Sequence, residues 1–138
     1  MNTFQSLIAT ALMSVMAATS VAADKPTRAQ KNEARLAELL KGRTAGEPTV
    51  CIPSFQANEL EVLDGVAMVY GKGETIYVAR PTNPQALRWD DVVVINRFGG
   101  QLCHTDFIRT VDRMSGFTTG ALFLEKFVPY KKQDAITR

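Results

Sequence analysis

Only one histidine, one tryptophan and two cysteines occur in 138 residues, and no sign of charge dominates. Each scarcity removes a class of chemistry. A mechanism that relies on imidazole near neutral pH has to use His104. Cys51 and Cys103 lack the C-x-x-C spacing that marks a zinc or dithiol site, and no metal or cofactor is expected. Sixteen basic against fourteen acidic residues leave a net charge of +2. Residues 48–138 carry ten of each, so they offer no extended basic patch to neutralise many phosphates. Nucleic acid is therefore not expected as a partner.

What is present begins with an export signal. An uncharged apolar run from Leu7 to Ala18 leads into Ser20-Val21-Ala22-Ala23, and the first charge follows at Asp24. The run is short for a bilayer span and rich in Ala, Ser and Thr, while Val21 and Ala23 suit a signal peptidase. Cleavage after Ala23 is the reading carried forward. Met1 to Ser6 lack Lys and Arg, which leaves an uncleaved anchor as the alternative. The chain then divides into a signal peptide (1–23), a helix and linker (24–46), a β-rich domain (47–130) and a carboxyl-terminal tail (131–138). A periplasmic or secreted protein is expected, with no stable membrane insertion once the leader is gone. In that compartment an even cysteine count predicts a Cys51–Cys103 disulfide, with two free thiols as the alternative. Closing such a loop stabilises a fold by about 4 kcal/mol on the chain-entropy model.

From Pro26 to Lys41 the pattern is helical, with Ala29, Leu36, Ala37, Leu39 and Leu40 on one arc and Arg28, Lys31, Arg35 and Glu38 opposite. Thr27 and Gln30 fit a capping box, and Gly42 falls where a left-handed cap would close the helix. The stripe is three turns long, so the helix must rest on something, and the sheet is the expected support. A membrane-surface helix is the alternative, but its charges are mixed and no bulky aromatic lies in it.

Beyond Gly46 the residues are β-branched and aromatic, broken by Gly, Pro and Asn. Val66–Tyr70 and Thr75–Arg80 form a hairpin around Gly71-Lys72-Gly73-Glu74. That loop is a turn and not a phosphate cradle, because no helix follows it. Val92–Ile95 is apolar on both alternating faces and reads as the central strand. Thr49–Ile52 reads as an opening strand, Ala121–Phe127 as a closing one ended by Pro129, and Phe107–Asp112 as strand in preference to helix. The fold class expected is mainly β: a small curled antiparallel sheet or partly open barrel of five or six strands with one amino-terminal α-helix.

Several side chains could carry chemistry. In an extended segment His104 and Asp106 share a face and would make a base and its orienter, with Ser115, Ser54 or Thr105 as nucleophile. None of these lies in a G-x-S-x-G elbow, and a polar loop beside a disulfide accounts for the pair as well. Asp90-Asp91 lack a calcium-loop pattern and read as a solvated turn. Arg80, Arg88, Arg97, Arg109 and Arg113 recur through the β region. If they converge they would hold an anion, with Arg97 and Arg109 as the candidate ligand-binding pair; otherwise they make surface ion pairs. Phe98, Phe107, Phe117, Phe123, Phe127, Tyr130 and Trp89 read mostly as core, with an aromatic-lined groove as the alternative.

The pattern Gln101-Leu102-Cys103, Asp106, Val111-Asp112-Arg113, Gly116-Phe117 and Phe127-Val128-Pro129-Tyr130 resembles the carboxyl-terminal half of small exported proteins of Gram-negative bacteria, which form families of unknown function. The resemblance extends to Cys51-Ile52-Pro53 and the Val66–Arg80 hairpin, roughly residues 47–130. It implies a periplasmic or secreted β-rich domain with paired cysteines and brings no activity, cofactor or catalytic residue. The function expected is a non-enzymatic binding or accessory module of the cell envelope, meeting an envelope protein, a glycan or a small ligand. A small hydrolase built on His104 and Asp106, or an inhibitor of an exported enzyme, are the alternatives.

Overall fold

Thr27 starts the first element in the way its sequence indicated. Its hydroxyl accepts from Gln30 N at 3.2 Å while its own N–H donates to Gln30 Oε1 at 2.8 Å, so two of the helix's orphan donors are satisfied reciprocally. The computed structural model describes residues 24–97 and 99–133. The expected signal peptide, Phe98 and residues 134–138 lie outside the described residues. Helix α1 runs Arg28–Leu40 and turns away at Gly42, whose φ of 72° is the left-handed conformation expected there. Leu36 is buried and Leu39 and Leu40 half-buried, whereas Ala29 and Ala37 stay exposed, so the contact is narrower than the apolar arc.

Ten short strands follow among the described residues: β1 Arg43–Ala45, β2 Cys51–Pro53, β3 Leu60–Leu63, β4 Ala67–Tyr70, β5 Thr75–Ala79, β6 Asp91–Ile95, β7 Gln101–Cys103, β8 Ile108–Asp112, β9 Thr118–Leu122 and β10 Val128–Lys132. A one-turn helix, α2 Ser54–Ala57, sits between β2 and β3. The mainly β class with one long amino-terminal helix is as the sequence indicated. The strands form a five-stranded sheet in the order β1-β10-β5-β4-β3, a pair β2-β7 and a three-stranded sheet β6-β8-β9, all antiparallel. The β4–β5 hairpin forms around Gly71 and Gly73, both at positive φ.

The five-stranded sheet is covered on both faces. On one, Leu63, Val66, Ala67, Val69, Ile76 and Val78 pack against Leu36 of α1. On the other, Met68, Tyr70 and Ala79 pack with Ile52, Leu87, Leu102, Ile108, Leu122, Leu124 and Phe127. All four residues of β4 are therefore buried. The expectation that Val92–Ile95 would be the central strand is corrected here: it lies in β6, at an edge, and Val92 is 43% exposed. An apolar run shows only that side chains tolerate burial, and among the described residues no helix or sheet lies on the outer face of β6-β8-β9. The aromatics are corrected for the same reason. Phe127 is buried edge-on to Tyr70, but Phe107, Phe117, Phe123 and Trp89 are exposed.

Pro129 does not end the last strand; it lies within β10, opposite Tyr77. Its carbonyl accepts from Gly46 N at 2.7 Å, one residue beyond the end of β1, and its missing N–H faces the same edge, past the last paired residues of β1. Strand β10 also runs through Lys132, two residues past the boundary drawn at 130. Between the sheets, Thr82 N donates to Phe123 O and Glu125 N to Arg80 O, with Pro81 and Leu124 bridged. The path β3-β4-β5, across that bridge to β9-β8-β6, is thus a curled sheet whose two end strands, β3 and β6, each have one edge with no strand partner among the described residues.

Cys51 and Cys103 are joined by the expected disulfide, as directly opposed residues of β2 and β7 with Cα atoms 3.9 Å apart. His104 N donates to Val50 O next to them, which makes the cysteines a non-hydrogen-bonded pair, the position where opposed side chains come closest. The crosslink fits an oxidising compartment. Among the described residues no helix is long and apolar enough to cross a membrane.

Candidate ligand-binding cleft

The sequence's candidate dyad is not assembled. Asp106 Oδ2 accepts from Cys103 N at 2.8 Å, and Asp106 N donates back to Cys103 O at 3.0 Å, closing a turn. His104 Nδ1 lies 3.3 Å from Leu124 O, and no hydrogen bond joins it to Asp106. Ser115 does not stand free either: its hydroxyl donates to Asp112 Oδ1 at 2.7 Å. Donation from the Ser115 backbone first, and from its hydroxyl second, holds the Asp112 carboxyl below its ordinary range.

The arginines do not converge. Arg80 makes a two-pronged pair with Glu33, Arg88 with Asp90, and Arg97 reaches Ser54 O and Asn58 Oδ1. Arg109, in β8 between Val94 and Ala121, has its Nε buried without a partner. The two candidate ligand-binding residues, Arg97 and Arg109, thus serve different surroundings.

A different group of residues is brought together where the curled sheet stays open. A cleft of about 500 Å³ lies between β3 and β6, lined by Arg28, Leu60, Val62, Asp64, Trp89, Asp91, Val92, Val93 and Arg113. Its geometry begins upstream, in the 3₁₀ turn Pro84–Ala86, capped by Asn83 Oδ1 accepting from Gln85 N. Leu87 then drops into the core and its carbonyl accepts from Gly65 N, which leaves Trp89 turned outward and 60% exposed. The Arg28 guanidinium stands over the indole at 4.9 Å from the ring centroid, and also reaches Asp64 at 4.0 Å. Burial pushes the Asp64 carboxyl above its ordinary range, with Arg28 pulling the other way.

Asp90 and Asp91 diverge, as neighbours on an extended chain must. Asp90 turns out to Arg88, whose hydrogen bonds hold its carboxyl below the ordinary range. Asp91 turns in, and here the solvated-turn reading is corrected: its side chain is 1% exposed. Oδ2 accepts from Thr119 Oγ1 at 2.8 Å, and that hydroxyl lies 2.8 Å from Thr110 Oγ1. Thr119 reaches inward because the β8–β9 register shifts between Thr110 and Val111. The nearest cation to Asp91 is Arg88 Nε at 4.0 Å, and Oδ1 is buried with no hydrogen-bond partner. A desolvated carboxylate oxygen without a donor is costly, and such a group calls for an explanation.

Among the described residues no group of three or more His, Cys, Asp or Glu is placed to hold a metal ion. The cleft offers an indole face, two guanidinium groups, a buried carboxylate and an apolar floor. That set has the chemistry to orient a ligand, and among the described residues lining it there is no nucleophile paired with a base. Comparison with protein-family models, with curated proteins and with solved structures returns no match.

Proposed function

We propose that the protein is a periplasmic or secreted, non-enzymatic binding or accessory module of the cell envelope, and that its ligand occupies the cleft between β3 and β6. The observation that carries this reading is Asp91 Oδ1, a buried carboxylate oxygen with no donor, beside an exposed tryptophan. Export is supported by the leader-like residues 1–23 and by the disulfide. The hydrolase alternative loses its support where Asp106 is taken up by Cys103 N.

Trp89 is the only indole in the chain, so its fluorescence reports on the cleft directly. Titration with synthetic peptides, peptidoglycan fragments and small envelope metabolites is expected to give a saturable change with one of these classes. Asp91→Asn should weaken that ligand by about tenfold, the usual scale for a lost charge-assisted hydrogen bond, and His104→Ala should leave it unaltered. The reading fails if no class moves the emission, or if Asp91→Asn binds as the native protein does.

A further inference from the structure

The cleft is bordered by two strand edges whose backbone groups face away from their ladders. Asn96 N donates to Phe107 O and Arg113 N to Asp90 O, which fixes the hydrogen-bonded pairs between β6 and β8. Alternation then places the N–H and C=O of Val93 and Ile95 on the opposite, open edge. Gly71 N donating to Glu59 O does the same for β3, leaving Leu60 and Val62 on its open edge. The side chains of Leu60, Val62, Val93 and Ile95 pack onto the core below, so the floor between the edges is apolar. Asp91 shares the inward face of Val93 and Ile95 and lines the same cleft.

We infer that the cleft takes an extended peptide, which adds to β6 as a strand and presents a lysine or arginine to Asp91 Oδ1. The inference rests on the cleft being the binding surface, as proposed above. An open sheet edge supplies main-chain hydrogen bonds to an added strand, and alternate side-chain positions supply selectivity. A cationic side chain is preferred because Arg88, the nearest cation at 4.0 Å, is already held by Asp90. A second copy of this chain fits the edge less well. Its own β6 reads Asp91-Val92-Val93-Val94-Ile95, which has no donor side chain and would bring a second carboxylate to the cleft.

The probe is a capped peptide of about seven residues, alternating threonine and valine with a central lysine. The lysine peptide should bind at least about tenfold more tightly than the same peptide with a central glutamate, and Asp91→Asn should erase that preference. Amide exchange at Val93 and Ile95 should slow on binding. N-methylation along one edge of the peptide should abolish binding, while methylation along the other edge has little effect. Because methylation alters only the ligand, that result does not depend on how the variant folds. Equal affinity for the two peptides, or unprotected Val93 and Ile95 amides at saturation, overturns the inference. If a glycan or metabolite moves Trp89 emission and no peptide does, the cleft reading stands and the added strand falls. If the protein alone sediments as a dimer with Val93 and Ile95 already protected, the edge belongs to a second copy and the peptide is ruled out.

Discussion

The five-stranded sheet and the three-stranded sheet are built from similarly apolar strands, yet among the described residues only the first has a layer packed on each face. Ala67-Met68-Val69-Tyr70 is buried at every position because α1 lies on one face and the second layer on the other. Val92-Val93-Val94-Ile95 is no less apolar, but Val92, Val94, Arg109, Val111 and Ala121 share an outer face on which no helix or sheet among the described residues lies, so Val92 is exposed and the other four are only half-buried. The difference lies in what is stacked above each strand and not in the strand itself. One region holds the fold, and the other leaves surface and edge free for contact.

The sharpest way to break this contrast is to truncate one aromatic in each region. Phe127 is fully buried against Tyr70, and Phe127→Ala should cost about 4 kcal/mol in chemical denaturation. Phe123, four residues earlier and 66% exposed, should cost no more than about 0.5 kcal/mol when changed to Ala. Equal losses would mean that the outer face of β6-β8-β9 is covered in solution.

The disulfide ties the two regions through β2 and β7. Replacing both Cys51 and Cys103 with Ala should lower stability by about 3 kcal/mol, within the range for native disulfides in small exported domains. Denaturation with and without reductant measures it: the native protein should lose a similar amount when reduced, and the double variant should ignore the reductant. A double variant as stable as the native protein would show that the ladder alone holds β2 to β7.

Much of the covered region was legible in the sequence. The capping box at Thr27 and Gln30, the turn at Gly42 and the hairpin at Gly71–Glu74 are local signals, each set by a few neighbouring residues. The disulfide followed from the even cysteine count and the export expected from the leader-like first residues. Which apolar strand would be central was not legible, because that depends on the layer above it. The candidate cleft was hidden for a related reason. Asp90-Asp91 has the local pattern of a polar turn, and because Val92–Ile95 is apolar on both alternating faces, nothing local says that the face shared by Asp91, Val93 and Ile95 is the inward one. Trp89 was grouped with the core aromatics, and nothing local distinguishes it from them. Arg28 meets it only through the tertiary packing of α1.

Helix α1 packs its buried residue, Leu36, on the covered region and reaches the cleft only through Arg28 at its start, so weakening that start should be felt in α1 far more than in β8. Thr27→Ala removes the cap oxygen and should cost about 1 kcal/mol. Native-state hydrogen exchange should quicken most in the first turn of α1. If β8 amides quicken as much as those of α1, the two regions unfold together and the contrast is one of packing alone.

The smallest effects should differ in sign between the helix and the cleft. Glu33 on α1 pairs with Arg80 at 2.7 Å, and that hydrogen bond holds its carboxyl below the ordinary range. A depressed pKa in the folded state contributes stability that is present above the unfolded value and lost as pH falls through the folded one. Both partners are about half exposed, so Glu33→Gln should cost only about 0.3 kcal/mol at pH 7, fading below about pH 4. Asp64 at the cleft is the opposite case: burial raises its pKa, so its contribution is present at low pH and lost as pH rises. Asp64→Asn should therefore leave the protein as stable as the native form or slightly more so at pH 7, with the difference closing in acid. Thermal melts of both variants across pH 3 to 7 measure the two slopes. Slopes of the same sign would mean that the cleft carboxylate helps hold the fold just as the helix pair does.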